Sequence, residues 1–530
     1  MRSIQARAVT VAVVMSLAAG CGKTASYKVV NPMQTPDDGP APTEDQPETD
    51  KGRGKTKRKK ATPSMGDFFE THVAHQEAVR RDDGQVLMAN AAGDVAVAGV
   101  TRSRLDRTAN IEPSLGGDLF FARYNLREGW YEEPIQVTVT VPDGAIPVDP
   151  ENPEAEPKPL AEPLVVAKGG RLLESGKALV VGELVGTGFD SAQLHRDETK
   201  GAARNVFLSI FGVGDSGMTK ALSYGISGQN TVVGAAAGGD ATILIAGHTT
   251  SGLLPDGSSD VSSEVSTPSN YVAELTDDGD IVRFFAWNDH NDDNVKEDVR
   301  AITANRNTAF VAMERDNGGG VFVKGLRLHA HSQEFIDLPS RPVCAEQSKN
   351  ATSVRVTSID ASDTELVVAV EIDVRASSDG TVLPCFEVFG IKDLGTLTSE
   401  REVVYLPEMP TLAGTTRANM VQDGRVMLVR SRENTSSQGR VGVVVTFLYE
   451  RPALDKNYVG RAWPLSRPDD WYGSDSVHGL RREVRAVVWP EGSNQDDIVW
   501  VLSNDVTETS DGRESLVQIG TYAAVPQTKK

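Results

Sequence analysis

The chain has 530 residues, with 54 basic and 74 acidic side chains and a formal net charge of −20. An acidic balance of that size argues against nucleic-acid binding, because it repels the phosphate backbone. Three cysteines are too few for a disulfide scaffold, so the core must stand on hydrophobic burial, which a chain of this length can supply.

The first element in chain order is an address. Arg2 and Arg7 precede an apolar run from Ala8 to Ala19, which stops at Leu17-Ala18-Ala19-Gly20-Cys21. A basic start, a short apolar core and small residues before a cut form an export signal. The run is too short to cross a hydrocarbon layer of about 30 Å as a permanent helix. With its cysteine directly after the small residues, the segment resembles a bacterial lipoprotein signal. The resemblance implies removal of residues 1–20, acylation of Cys21 and attachment to a membrane through lipid. Two departures bear on it: Ala18 stands where the family usually has Leu, and Gly22 follows the cysteine rather than Asp. In enterobacteria an Asp there favours the inner membrane, so the resemblance points to the outer membrane of the cell envelope. A plain secretory signal is the rival reading.

Residues 21–65 then read as a lipid-anchored, disordered linker. Pro32, Pro36, Pro40, Pro42, Pro47 and Pro63 interrupt a stretch with few large apolar side chains, which cannot offset its chain entropy. Its charge is split: six acids lie in residues 37–50 and seven bases in residues 51–60. A basic block near an anchor suits anionic headgroups or cell-wall polymers; the plainer reading is a solvated tether. Residues 1–60 carry +11 and −6, a net of +5, which leaves −25 for residues 61–530.

From residue 66 to residue 530 the pattern is all-β. Short apolar runs alternate with turn signals such as Asp82-Asp83-Gly84, Asp277-Asp278-Gly279 and Gln422-Asp423-Gly424. One run recurs as Val95-Ala96-Val97-Ala98-Gly99, Ala178-Leu179-Val180-Val181-Gly182 and Ile243-Leu244-Ile245-Ala246-Gly247, with weaker copies ending at 313, 370, 430 and 503. A second run follows each copy, another precedes it, and a third tends to come after a turn. Four strands per unit in seven units is the pattern of a β-propeller with four-stranded blades, whose middle strands are covered on both faces. The divergence of the copies leaves six or eight blades compatible. The segments His75 to Thr101 and Gly228 to Gly252, with their V-x-V-A-G-x-T strands, resemble the SBBP-type propeller repeats of bacterial surface proteins. These motifs name a fold and no activity.

The final unit lacks a fourth strand, and Phe68 to Ala74 is the candidate to supply it. The rival for residues 64–80 is an amphipathic helix capped by Ser64. Residues 142–163, with seven prolines and several acids, read as an exposed insertion between the first two blades.

Candidate chemistry is thin, and no catalytic residues emerge. Gly212 to Gly217 fits G-x-G-x-x-G, but Thr219 to Ile226 reads as a strand where a dinucleotide site needs a helix. Asp289, Asn291 and Asp293 alternate oxygen ligands as a Ca²⁺ loop does. Asn294 and Arg300 stand where an EF-hand has Gly and Glu, which leaves a looser Ca²⁺ site or a solvated acidic loop. His72 and His75 share a face only on a helix. Cys344 and Cys385 suggest one disulfide in an oxidising compartment, or else two buried thiols. The reading is a cell-envelope propeller that binds or scaffolds an envelope protein or glycan, with no nucleic-acid partner. The alternative is a hydrolase or lyase of envelope polysaccharide using carboxylates at the channel mouth.

Overall fold

The computed structural model describes Lys59–Lys60, Phe68–Glu70 and, between residues 82 and 523, the strands with their adjoining turns. Residues 1–58, 61–67, 71–81, 104–115, 141–161, 190–203, 254–264, 404–415, 465–479, 524–530 and shorter connecting stretches lie outside that description. The expectations for the export signal, for Cys21 and for His72 and His75 therefore fall outside it.

Antiparallel sheets of four or more strands dominate, and seven of them are found among the described residues. Their first strands are Asp82–Ala89, Val165–Leu172, Asn230–Ala237, Glu297–Asn305, Ala351–Ala361, Thr416–Val421 and Leu480–Val488. Each first strand lies against the first strand of the next sheet, and Leu480–Val488 lies against Asp82–Ala89. The row of sheets closes on itself, so the fold is a β-propeller with the first strands innermost.

The second strands show why their sequences lack a clean apolar-polar alternation. Side chains of a strand point alternately to its two faces. In Asp94–Thr101, Ala96, Ala98 and Val100 join the core between blades one and two, while Val95 and Val97 pack with Trp500, Leu502 and Val517 toward blade seven. In Ile243–Thr249, Ile243 and Ile245 face blade two, and Leu244 and Ala246 face blade four. Both faces are interior, so the hydrophobic core is divided among the blade junctions. Burying each such valine, leucine or isoleucine side chain contributes about 1.5–3 kcal/mol.

The last sheet is built from both ends of the described chain. Phe68–Glu70 pairs antiparallel with Gly512–Ala523, in the register Phe68↔Gly520, Phe69↔Ile519 and Glu70↔Gln518. The N-terminal segment thus supplies the outer strand missing from the C-terminal unit, and Phe68–Glu70 is a strand rather than part of a helix. A further short strand, Lys59–Lys60, pairs with Trp130–Tyr131 at the outer edge of blade one.

Cys344 and Cys385 form a disulfide that ties the connection into blade five to that blade's third strand, Val382–Lys392. Both sulfurs sit in the apolar junction of blades four and five. The Cys344 N–H donates to the buried Glu387 carboxylate at 2.7 Å, which fixes the same connection a second time.

Candidate functional site

In a four-stranded meander the connections alternate between two rims. The second-to-third connection and the passage to the next blade share one rim; the other two connections share the opposite one. In blades one to five the opposite rim carries short turns: 90–93, 173–177, 238–242, 306–307 and 362–364 after the first strands. In blades one to three the long connections 102–117, 141–164, 186–203 and 250–268 join strands at the first rim, whereas in blades six and seven 450–460 and 489–497 join strands at the opposite one. Long loops on a rigid scaffold are where recognition concentrates.

The roots of these loops are held by side chains. At the end of the second strand of blade one, the Thr101 hydroxyl donates to Asp82 at 2.5 Å and accepts the Ser103 N–H at 2.9 Å. Blade three repeats the arrangement: Thr249 donates to Asn230 at 2.5 Å and accepts the Gly252 N–H at 2.7 Å. These are the threonines of the V-x-V-A-G-x-T strands, and they cap the loop entry. The 142–163 insertion is rooted on both sides. Val139–Thr140 pairs with Gly188–Phe189, and the Leu164 N–H donates to the Gly116 carbonyl at 2.8 Å.

Just below the rim, the innermost strands carry a repeated bulge. One extra residue sits in the first strand at Gln85, Lys168, Val233, Arg300, Thr357 and Arg485. A bulge removes one N–H from the ladder, and a buried N–H needs a replacement acceptor. Here the residue before the bulge donates to a side chain of the preceding blade. Ala167 donates to Gln85 Oε1 at 2.7 Å and Val232 to Glu183 Oε1 at 3.2 Å. Val299 donates to Asn270 Oδ1 at 3.1 Å and Val356 to Glu314 Oε1 at 2.7 Å. At the closing junction, Gly84 donates to Asn504 Oδ1 of blade seven at 3.0 Å.

The carbonyl of the same peptide unit explains the recurrent glycine. A Cβ on Gly99, Gly182 or Gly247 would lie 2.1, 2.0 or 1.9 Å from the oxygen of Asp83, Val166 or Thr231, respectively. The facing residues of the third strands are Phe120, Phe207 and Tyr271, and the Phe120 and Phe207 rings cover Gly99 and Gly182. The Tyr271 hydroxyl donates to that same Thr231 oxygen at 2.9 Å. Burial, and secondarily the Glu183 carboxylate, pushes the Tyr271 phenol well above its ordinary pKa, so it remains a donor.

Charge gathers most densely at the junction of blades three and four. Asp298 receives Lys296 at 2.8 Å and Arg300 at 3.3 Å, with His248 Nε2 at 3.8 Å. Arg300 also donates to Glu314 at 2.8 Å, and Arg315 to Glu297 at 2.6 Å. Burial would raise the Asp298 carboxyl, but the Lys296 hydrogen bond and the His248, Lys296 and Arg300 charges outweigh it and hold it below the ordinary carboxylate range. Burial pushes the His248 imidazole down; Asp298 opposes this and Lys296 adds to it. His248 is therefore neutral at pH 7. The carboxylates described here are engaged by cations and amides, an arrangement that builds junctions.

The structure places the remaining expected site residues as follows. Asp289 is nearly buried and takes His290 Nδ1 at 2.8 Å. Asn291 and Asp293 lie outside the described residues. Among the described residues no group of three or more potential metal ligands converges. The glycine-rich segment is a hairpin: the Gly212 N–H donates to the Gly217 carbonyl at 3.0 Å, and the strand Met218–Tyr224 follows. That geometry offers no helix N-terminus to a pyrophosphate. The junction network was not legible in the sequence, because nothing local marks that His248 meets the Lys296–Arg300 stretch or that Arg300 and Glu297 meet Glu314 and Arg315 across the strands.

No family model matches the chain, and no curated protein does. Among solved structures, the chain is similar to the β-propeller domain of the Trilobed protease from Pyrococcus furiosus, at 9% identity and TM-score 0.40, over 86% of this chain and 96% of that one. It is also similar to the α-L-arabinofuranosidase Arb93A from Fusarium graminearum, at 11% identity and TM-score 0.37, over 67% and 92% of the two chains. A Bacillus megaterium levansucrase mutant follows, at 10% identity and TM-score 0.30, over 64% and 91%.

Proposed function

We propose that this protein is an exported, lipid-anchored β-propeller of the cell envelope that works as a binding or scaffolding module. The observation that carries the reading is the asymmetry of the two rims. In blades one to three one rim holds short turns, and the other gathers long connections: two on threonine-capped roots, and the Pro- and acid-rich insertion beside the Val139–Thr140 pairing. Binding is the task such a surface suits: a rigid ring presents variable loops side by side. The address rests on residues 1–21, whose resemblance to a lipoprotein signal supports an anchor at Cys21 and an outer-membrane location. The partner is an envelope protein or glycan.

The test is affinity co-purification of the tagged chain from detergent-solubilised envelopes. A stoichiometric partner should be recovered with the wild-type chain. It should be lost when residues 142–161 are removed or residues 254–264 are replaced by a short turn. It should be retained in Asp278→Ala, on the opposite rim. A partner indifferent to every long-rim change would overturn the reading. The Cys21→Ala chain separates the two parts of the proposal: it should leave the membrane fraction yet still bind the partner in solution.

A further inference from the structure

A sheet edge is a row of backbone N–H and C=O groups open to another strand, and proteins blunt such edges with short strands, charged side chains, proline or a covering segment. The outer strands of six blades follow that rule. Phe335–Asp337 and Phe68–Glu70 have three residues each, and blade one ends in the short strands Trp130–Tyr131 and Ile135–Val137. Arg461–Pro464 ends in a proline, and Thr396–Val403 carries Glu400, Arg401 and Glu402. Met218–Tyr224 carries Lys220 beside an irregularity in its register. Blade three is the exception. Its outer strand, Ile281–Asn288, has eight residues and one charged side chain, Arg283, which Glu274 neutralises.

Among the described residues no strand pairs with the far side of Ile281–Asn288. Its one irregularity lies at Val282, so residues 283–288 run in regular register along residues 269–274. Phe284 and Ala286 border the junction with blade two, and Phe285 and Trp287 the junction with blade four. The Phe285 ring centroid lies 5.6 Å from that of Trp287 and 6.4 Å from that of Phe335. All four strand residues are half-buried, so each junction stays apolar out to the edge and stops there. The Trp287 indole N–H is shielded from solvent and meets no acceptor among the described residues, an unmet need on the same strand. At the start of the strand the turn presents Asp278 and Asp280, both exposed, and Asp280 has no ion pair among the described residues.

We propose that the outer edge of blade three is a binding surface that takes an extended segment of a partner protein as a fifth strand. Main-chain hydrogen bonds to residues 283–288 supply the attachment. The edge sets the chemistry of its occupant. The central side chains are β-branched or apolar, because they alternate beside Phe284 and Ala286 on one face and Phe285 and Trp287 on the other. The end that meets Asp278 and Asp280 is basic. The blade's own strand pairs are antiparallel, and an added strand of that sense puts its C-terminal end there. A second copy of this chain fits poorly, since residues 61–530 carry −25 and two such bodies repel. The surface lies on the outer wall, apart from the loop rim, and does not rest on the rim reading.

The test uses the full chain and a dye-labelled peptide of alternating valines and threonines with two lysines at its C-terminal end. Fluorescence anisotropy should show saturable binding. Hydrogen exchange in the wild-type chain should slow at residues 283–288 and stay unchanged in the outer strand of blade five. Ala286→Lys, which puts an ammonium group where the added strand covers it, should weaken binding about tenfold or more. Asp280→Asn, or moving the lysines to the peptide's N-terminal end, should weaken it about two- to fivefold. Thr219→Lys, on the outer strand of blade two, should leave it unchanged, and urea melts check that each variant folds. No saturable binding, protection elsewhere than residues 283–288, or wild-type binding by folded Ala286→Lys overturns the proposal. Protection of the same residues that grows with protein concentration in the absence of peptide overturns it too, and assigns the edge to a second copy. Removing the rim loops leaves all these readouts unmoved, so the rim reading and this one fail separately.

Discussion

Substituting Gly247 tests the account of the bulge directly. An alanine Cβ there falls 1.9 Å from the Thr231 oxygen, which is backbone and cannot swing aside as a side chain would. The peptide unit between Thr231 and Val232 must turn, and two bonds turn with it: Tyr271 Oη to the Thr231 oxygen and the Val232 N–H to Glu183. Overpacking costs about 1–3 kcal/mol. A buried donor left unmet costs about 1–3 kcal/mol more. The gain from stiffening the unfolded chain is about 0.4–1 kcal/mol, too small to offset either. Gly247→Ala should therefore lose about 3 kcal/mol. Gly234→Ala is the control, since its added Cβ meets only Ile302 Cγ2 at 3.5 Å, an ordinary contact; it should stay within about 1 kcal/mol of wild type. Urea unfolding at pH 7 measures both. In a Tyr271→Phe background the orphaned hydroxyl is gone, so the cost of Gly247→Ala should shrink by about 1 kcal/mol or more. Equal stabilities for the two glycine variants, or no coupling to Tyr271, would refute the turned-peptide explanation.

Three further outcomes follow from the same joints. Asn504→Ala leaves the buried Gly84 N–H without its acceptor and removes the amide that Asp83 and the Gly84 carbonyl share, so it should cost about 3 kcal/mol; Phe69→Pro, which disturbs only a three-residue edge strand, should cost less, and the reverse order in urea melts would contradict the weight given to the inner junction. Reducing the Cys344–Cys385 bridge, whose ends are 41 residues apart, should cost about 4 kcal/mol in the chain-entropy model, and an unchanged melting temperature under reductant would count against it. Stability should fall on acidification in two stages: below about pH 6.5, where the unfolded chain protonates His248 before the folded one does, and again as the pH drops past the unfolded Asp298 value of 3.8 through its lower folded value. His248→Gln should flatten the first stage and Asp298→Asn the second in melts followed against pH.

What the sequence revealed of this fold depended on how locally each feature is encoded. The second strands were legible because both of their faces are interior, so Val95 to Val100 and Ile243 to Ala246 stand out as unbroken apolar runs. The glycine ending each run was legible as a motif, but its cause lies in a neighbouring strand, where a bulge aims a carbonyl at it. In blades four, five and seven the facing residues are Met313, Val370 and Ser503, which is why the pattern fades there. The missing strand of the last unit pointed to the chain's N-terminal side, and Phe68–Glu70 supplies it. The polar joints left no readable trace. Their acceptors are Gln85, Glu183, Asn270, Glu314 and Asn504, which vary in chemistry and arise from first, second and third strands alike. The same distribution hides any site on a propeller rim, since each blade contributes one or two residues dozens of positions apart.

The direction of those joints bears on how the ring closes. In all five the donor is the N–H before the bulge of an innermost strand, and in four the acceptor belongs to the blade before it in sequence. The bond from Gly84 to Asn504 obeys the same rule across the seam, between residues 420 positions apart. Closure at the inner wall therefore needs no chemistry of its own: blade seven meets blade one as blade one meets blade two. Asp83 reinforces this junction by taking Arg485 at 3.1 Å. The seam differs only at the outer wall, where the last sheet borrows Phe68–Glu70 from the far end of the chain. The polar joints of the inner layer hold the propeller shut, and the outer strand Phe68–Glu70 adds only the last edge.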